Sequence, residues 1–370
     1  MLIYYMALLN KSKKVVVGLS GGVDSAVAAT LLKEQGYEVI GVFMKFWQAP
    51  SDSKQNSGWN RCCSFEAQQR AREVARVLGI RFYVVNLERQ FKKEIVDYFL
   101  TESAAGRTPN PCVVCNKKIK FGLLIEKAMA LGADYVATGH YAKKRKTKNE
   151  KLKILKAEDE NKDQTYFLWQ LNQKQLAKIL LPIGEIASKT KVRELAKKFN
   201  LPVSGTKESQ EVCFIQNTTE EFLRKYLKQK PGVVYPGVRP RGAGIGQHNG
   251  LWFYTIGQRK GIGLSGGPWF VVDKDIKKNA LIVSQDENDL LSKELTAQKV
   301  NWLSGGEPAN LQNMQAKIRY GAKPAQIKTM RKIGPNKYKI IFTQPQRAIT
   351  PGQSVALYKG QELLGGGVIS

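Results

Sequence analysis

Histidine is almost missing from this chain: His140 and His248 are the only two in 370 residues. No Ser–His–Asp arrangement can be built from so few. Cysteine is also sparse. The five are Cys62, Cys63, Cys112, Cys115 and Cys213, an odd number at low density. Met1–Asn10 is briefly apolar but lacks a basic leader and a small-residue cleavage site. A secreted disulfide framework is therefore excluded, and the expectation is a cytoplasmic protein with reduced thiols that are reactive, metal-binding or simply core. No apolar run reaches the roughly 20 residues that a spanning helix needs, so no membrane partner is expected. Internal repeats and low-complexity tracts are absent.

Acidic residues are in deficit, with Asp and Glu totalling 31 against 59 for Lys and Arg, for a net charge of +28. Such an excess raises the local concentration of anions and speeds encounters with polyanions. Nucleic acid is the sharp reading; a generally lysine-rich composition is the plain one. Hydrophobic residues make up 42% and charged residues 24%, the balance of a folded protein rather than a disordered one. The length suffices for two or three domains with cores of their own.

The first half alternates strand and helix patterns. Lys14–Leu19, Glu38–Met44, Arg81–Asn86 and Asp134–Thr138 read as strands. Asp24–Gln35, Ser64–Leu78 and Ile119–Leu131 read as helices, each followed by glycine. This alternation predicts an α/β domain, a doubly wound parallel sheet with helices on both faces. Ligands of such sheets bind at the carboxyl ends of the strands. Lys143–Lys148 reads as a basic loop, and Gln164–Leu180 and Lys191–Phe199 as helices. The style changes near Thr218. Glu220–Lys228 reads as a short helix, and the glycine- and aromatic-rich stretch Pro231–Trp269 predicts hairpins. From about Leu291, alternating segments such as Lys337–Phe342 and Ser354–Tyr358 predict a compact β-barrel. The expected divisions are 1–217 (catalytic), 218–290 (a small, mostly β unit) and 291–370 (the barrel).

The most informative segment is Gly18-Leu19-Ser20-Gly21-Gly22-Val23-Asp24-Ser25, set between a strand and a helix. Adjacent glycines let backbone N–H groups converge on one anion, Ser20 and Ser25 add hydroxyls, and the helix start adds its positive dipole end. Asp24 would hold Mg²⁺ or cap the helix. The Gly-Lys-Ser/Thr ending of the common nucleotide loop is missing, and the glycine spacing is wrong for a dinucleotide fingerprint. The pattern resembles the ATP pyrophosphatase loop of adenylate-forming enzymes, which implies cleavage between the α and β phosphates of ATP. Further on, Arg107–Phe121 places Cys112 and Cys115 two residues apart before a helix expected near Lys117. Helix N-termini and nearby lysines, here Lys117 and Lys118, favour the thiolate. Cys213 follows a polar stretch in SQEVCFI.

Four blocks in order, GLSGGVDS, NPCVVCNKKIKF, ATGHY (Ala137–Tyr141) and SQEVCFI, together resemble the tRNA-specific 2-thiouridylases, uridine-34 2-sulfurtransferases of bacteria. KDQTYFL (Lys162–Leu168), GQRKGIG (Gly257–Gly263) and TPGQSVALY (Thr350–Tyr358) extend the resemblance over nearly the whole chain. It implies ATP with Mg²⁺ at Gly18–Ser25, with Met44 and Gly139 on the adenine side. It implies Cys213 as persulfide carrier, loaded by an upstream sulfur-relay protein or cysteine desulfurase, and Cys115 as the partner thiol that closes a disulfide with it. Asn110, Pro111 and Cys112 match the stretch that meets the target base. His140, Lys162, Asp163, Gln164, Arg319, Tyr320 and Gln353 match tRNA-contacting positions, and a monomer is expected.

Two departures stand out. Cys112 replaces an aspartate found in some members, so Cys112, Cys115 and Cys213 offer an alternative as iron–sulfur ligands, with zinc as a further alternative. Glu208 stands where aspartate is frequent. Competing functions are another ATP pyrophosphatase acting on a small molecule, and a non-catalytic RNA-binding protein. Cys62 and Cys63 read as incidental, His248 as without a role, and Trp47, Trp59 and Trp169 as core aromatics rather than base-stacking platforms.

Overall fold

A computed structural model describes residues 13–49, 64–206, 212–240 and 242–370. Short β-branched runs make the first sheet. Strands β1 (Lys14–Gly18), β2 (Glu38–Lys45), β3 (Arg81–Asn86) and β4 (Tyr135–Ala137) are parallel and lie in the order β3-β2-β1-β4. The next two strands, β5 (Ala142–Lys146) and β6 (Leu152–Lys156), form an antiparallel hairpin that leaves this sheet. β7 (Ile179–Leu180) returns to pair with β4.

Helices cover the sheet. α1 (Val23–Glu34) is rich in alanine and is buried along Val23, Ala26, Val27, Ala28, Ala29 and Leu32. α2 (Phe65–Leu78) starts where the Ser64 side chain accepts from Ala67 N and ends at left-handed Gly79. α3 (88–104) and α4 (111–130) each contain a π-helical stretch, Lys92–Val96 and Asn116–Leu123 respectively. Then follow α5 (Gln173–Ala177), α6 (Lys189–Lys198) and α7 (Thr219–Tyr226).

The central unit holds a four-stranded sheet, β10-β11-β8-β9, from β8 (Gly232–Pro236), β9 (Gly246–His248), β10 (Phe270–Asp275) and β11 (Ala280–Ser284). The last unit is a closed six-stranded antiparallel barrel. Its strands are β12 (Leu291–Trp302), β13 (Gln315–Lys317), β14 (Ala325–Gly334), β15 (Lys337–Arg347), β16 (Ser354–Lys359) and β17 (Glu362–Ile369). They run β12-β15-β14-β13-β16-β17, and β17 pairs back onto β12. The expected α/β sheet, small β unit and barrel are all present.

The units are tied together by shared core. β6 pairs with β17, so the hairpin of the first unit extends the barrel sheet. Tyr166, Leu168, Trp169 and Leu171 are fully or almost fully buried against Ala356, Tyr358 and Leu363 of the barrel. Each such aromatic contributes about 2–3 kcal/mol by leaving water. A Cβ on Gly366 would lie 2.7 Å from Trp169 Cγ, so glycine there makes room for the indole. Trp169 is thus core, as expected, and Trp47 packs partly buried against the second core. Trp59, Cys62, Cys63 and Glu208 lie outside the described residues.

Three sequence expectations are corrected. Lys143–Lys148 is mostly strand β5, because it pairs antiparallel with β6; Lys144 Nζ even donates to the carbonyls of Leu176 and Ile179. Gln164–Leu180 is not one helix. Its buried aromatics hold an irregular path with a single 3₁₀ turn at Thr165–Phe167, and α5 starts only where Asn172 and Gln175 form a capping box. The helix expected from Ile119 begins at Pro111, because Asn110 Oδ1 caps Val113 N at 3.4 Å and Pro111 suits the first helical position.

Candidate nucleotide and thiol site

The loop after β1 is shaped by contacts that only glycine tolerates. Gly21 has φ +74°, and a Cβ there would lie 2.3 Å from Ala67 O of α2. Arg70 Nε from the same helix donates to Gly21 O at 3.0 Å. Gly22 is the N-cap of α1 and offers no side-chain acceptor, so no side chain closes the N–H groups of the first turn. A helix start left open in this way suits an anion. Ser25 is committed partly to the loop itself. Its Oγ accepts from Ser20 N at 3.1 Å, donates to Gly22 O at 3.1 Å and lies 3.2 Å from Ser20 Oγ. Val23 is core.

Around this loop lies a cleft lined by Gly18, Leu19, Ser20, Asp24, Ser25, Met44, Phe46, Lys120, Thr138, Gly139, His140 and Gln164. It sits at the carboxyl ends of β1, β2 and β4, as the parallel sheet predicts. Gly139 presses on the helix start: a Cβ there would be 2.6 Å from Ser25 N and 2.8 Å from Asp24 Cβ. Asp24 does not cap α1. Its carboxylate accepts from Lys189 Nζ at 2.6 and 2.7 Å and from Tyr141 Oη at 2.7 Å.

His140 and Gln164, expected to meet RNA, face this same cleft. His140 is buried, with Nδ1 2.7 Å from Thr138 Oγ1 and its ring 5.4 Å from that of Phe121. Burial, helped by the Lys120 charge, pushes its pKa well below the ordinary value, so the ring is neutral at pH 7. Gln164 Oε1 accepts from Tyr141 N at 3.0 Å.

Cys112 lies in the first turn of α4 and is half-buried; Cys115, one turn on, is buried. Cys115 belongs to an apolar cluster with Phe46, Phe91 and Phe214, and Cys213 packs against that cluster. Phe46 also lines the cleft, so one apolar cluster runs from the cleft to Cys115 and Cys213. No disulfide joins Cys112, Cys115 and Cys213. Lys118, expected to favour the thiolate, instead pairs with Glu94.

The barrel braces the segment before α4. Thr108 N donates to Pro351 O at 2.9 Å, and Gln353 Nε2 donates to Thr108 O at 2.9 Å. Tyr166 Oη donates to Ser354 O at 2.9 Å. Gln353 therefore holds the cysteine segment. Asp163 is buried, accepting from Thr165 Oγ1 at 2.8 Å and Ala157 N at 3.2 Å. Lys162 is half-buried beside it, its N–H on Asp159 O. Arg319 Nη1 donates to Arg347 O at 3.1 Å, and Tyr320 is exposed with its ring 4.5 Å from that of Phe167. His248 is structural: Gly250 N donates to its Nδ1 at 3.1 Å.

Sequence reasoning missed Phe46, Lys120 and Thr138 as parts of the cleft, and Tyr141 and Lys189 as the partners of Asp24 at its edge. Lys120 reaches it because the π-helical stretch and non-helical Phe121 (φ −121°, ψ 15°) rotate the α4 face. The basic run Asn116–Lys120 marked the segment but not which lysine turns inward.

The cluster alternative meets a test in this geometry. Among the described residues, no group of three or more His, Cys, Asp or Glu side chains is gathered to hold a metal ion. As placed in this structure, Cys112, Cys115 and Cys213 do not form such a group.

A parallel sheet carrying a glycine turn and an open helix start at its carboxyl edge defines an α/β domain whose cleft is shaped to receive an anion. Three family models match the chain: a tRNA methyl transferase HUP domain over residues 13–217, a tRNA methyl transferase PRC-barrel domain over 220–285, and an aminomethyltransferase beta-barrel domain over 292–369. The chain is 46% identical over 371 residues to the tRNA-specific 2-thiouridylase MnmA of Bacillus licheniformis, covering 98% of this chain and 96% of the relative. It is 47% identical over 362 residues to that of Carboxydothermus hydrogenoformans, covering 96% and 97%. Among solved structures, the U34-tRNA thiolase NcsA of Methanococcus maripaludis aligns at 18% identity and TM-score 0.34 over 56% of this chain and 62% of that one. The chain belongs to the tRNA-specific 2-thiouridylase family.

Proposed function

We propose that the protein thiolates the wobble uridine (U34) of tRNA at C2, using ATP to activate the oxygen and a cysteine persulfide to deliver sulfur. One observation carries this reading: Phe46, which lines the cleft formed by the Gly18–Ser25 loop, belongs to the same apolar cluster as Cys115, and Cys213 packs against that cluster. Family membership supports uridine thiolation on tRNA.

In this reading the triphosphate lies on the open start of α1, with the adenine toward Met44 and Gly139. Mg²⁺ bound to the phosphates would share their charge, which suits an ion that keeps most of its own water. Asp24, neutralised by Lys189, does not repel the nucleotide. The uridine enters over Asn110, Pro111 and Cys112, out of its stack, which an anticodon loop permits at low cost. Its C2 oxygen attacks the α-phosphorus; pyrophosphate leaves and the oxygen becomes a good leaving group. The terminal persulfide sulfur on Cys213 then bonds to C2. The Cys115 thiolate attacks Cys213 Sγ, closing a Cys115–Cys213 disulfide and freeing the sulfur on C2, and AMP departs. An external dithiol reduces the disulfide, and an upstream sulfur donor reloads Cys213. Residues 1–217 carry the chemistry, and 218–290 and 291–370 seat the RNA around a monomer.

Pyrophosphate release from ATP, measured with and without tRNA, tests the assignment. Release should require tRNA that carries an unmodified U34. Release stimulated by a small metabolite and indifferent to tRNA would transfer the protein to a different adenylating activity.

A further inference from the structure

A second polar cavity lies where β6 meets the barrel, away from the nucleotide cleft. It is lined by Lys156, Glu160, Asn161, Asp163, Lys317, Tyr320, Lys323 and neighbouring loop residues. Two of these ammonium groups share one aromatic platform: Lys156 Nζ lies 5.2 Å and Lys317 Nζ 5.9 Å from the centroid of the buried Tyr358 ring. The Lys317 side chain is only 12% exposed, and its Nζ is 3.7 Å from Asp163 Oδ2, beyond hydrogen-bonding range. The two groups form an ion pair, and the Asp163 carboxylate also accepts from Thr165 Oγ1 and Ala157 N. Burial lowers the pKa of Lys156, and the Lys317 charge adds to that push against Asp163 and Glu160. The two cations repel each other across a cavity that a bound anion would relieve. Exposed Tyr320 stands at the same cavity, its ring packed on Phe167.

We propose that this cavity seats one backbone phosphate of the RNA substrate, gripped by Lys156 from the catalytic unit and Lys317 from the barrel. The inference rests on the reading of the protein as a tRNA-thiolating enzyme. Because β6 and β13 contribute one lysine each, a phosphate there fixes the RNA to both units at once and sets the distance from the bound strand to the cleft.

The test is the slope of log affinity for tRNA against log salt concentration. Removing the grip on one phosphate lowers the magnitude of that slope by about 0.7–0.9. K156Q/K317Q should flatten the slope by one such step, K156R should keep it, and K328Q, on the exposed outer face of β14, should leave it unchanged. K156Q alone preserves the Asp163–Lys317 pair, so its slope decides the matter if the double variant does not fold. An unchanged slope in K156Q and the double variant, with wild-type thiolation intact, overturns the proposal. So does inorganic phosphate that saturates the cavity without weakening tRNA binding, which would make it a free-anion site. A wild-type protein that neither binds nor thiolates tRNA would instead remove the underlying functional reading.

Discussion

Lys189 Nζ donates to both carboxylate oxygens of Asp24, at 2.6 and 2.7 Å, across 165 residues of chain. The ammonium also lies 5.6 Å from the centroid of the Tyr141 ring, and Tyr141 Oη donates to the same carboxylate. An aspartate in the turn proposed to hold a triphosphate is thereby made electrically compatible with that anion. K189M leaves that carboxylate without its cation, facing an incoming polyanion. The Michaelis constant for ATP should rise about tenfold or more, equivalent to about 1.4 kcal/mol. D24N/K189M should recover part of the loss, because the repulsive charge is gone as well. Steady-state pyrophosphate release in the presence of tRNA reads both effects.

Gly139 sets how closely the end of β4 approaches α1. A methyl group at this position would sit 2.6 Å from Ser25 N and push the loop off its helix start. G139A should weaken ATP binding at least tenfold. Gly205 has open space around it, so G205A should stay within about twofold of wild type by the same measurement. Equal losses in the two variants would show that the cleft does not depend on this contact.

The barrel acts on the thiol segment through Gly352. Its φ is +93°, and a Cβ there would approach Thr108 N to 2.8 Å. G352A should cost on the order of 2–4 kcal/mol in stability. It should also slow thiolation more than it changes the Michaelis constant for ATP, because Thr108 leads into Asn110–Cys115 rather than into the phosphate loop. Denaturant unfolding and single-turnover thiolation measure the two parts separately.

Lys274 of β10 donates to Gly106 O at 3.1 Å, joining the central unit to the turn after α3. Burial pulls its pKa down from 10.5 to about 8, with Asp273 opposing. Between those two values the unfolded chain holds a proton that the folded chain has released, so stability rises with pH there. The cost of burying the charged form is fully present below about pH 8 and fades as pH climbs toward 10.5. K274M removes this dependence. Its stability relative to wild type should be most favourable at pH 7 and should fall by on the order of 1–3 kcal/mol by pH 10, read by denaturant midpoints at each pH.

Much of this architecture was legible in the residues because local and global signals agree. The β-branched run before Gly18, the glycine after each early helix and the alternation beyond Leu291 each point to one structure. The failures occur where tertiary packing overrides local pattern. Tyr166, Leu168 and Trp169 look helical by spacing but are drawn into a core shared with Tyr358 and Leu363 of the barrel. Lys143–Lys146 looks like a solvated loop but completes a sheet with β17 through β6. Within the cleft, the glycines and serines could be read directly, since their role is local. Lys189 and Lys120 could not, because the partner of one is 165 residues away and the direction of the other depends on a π-helical turn.

Liquid-chromatographic mass analysis of nucleosides from tRNA incubated with ATP and a persulfide donor addresses the sulfur route most directly. Wild-type protein should yield 2-thiouridine at position 34. C213S and C115S should yield none while still releasing pyrophosphate when tRNA is added. Undiminished 2-thiouridine from C213S would contradict the account.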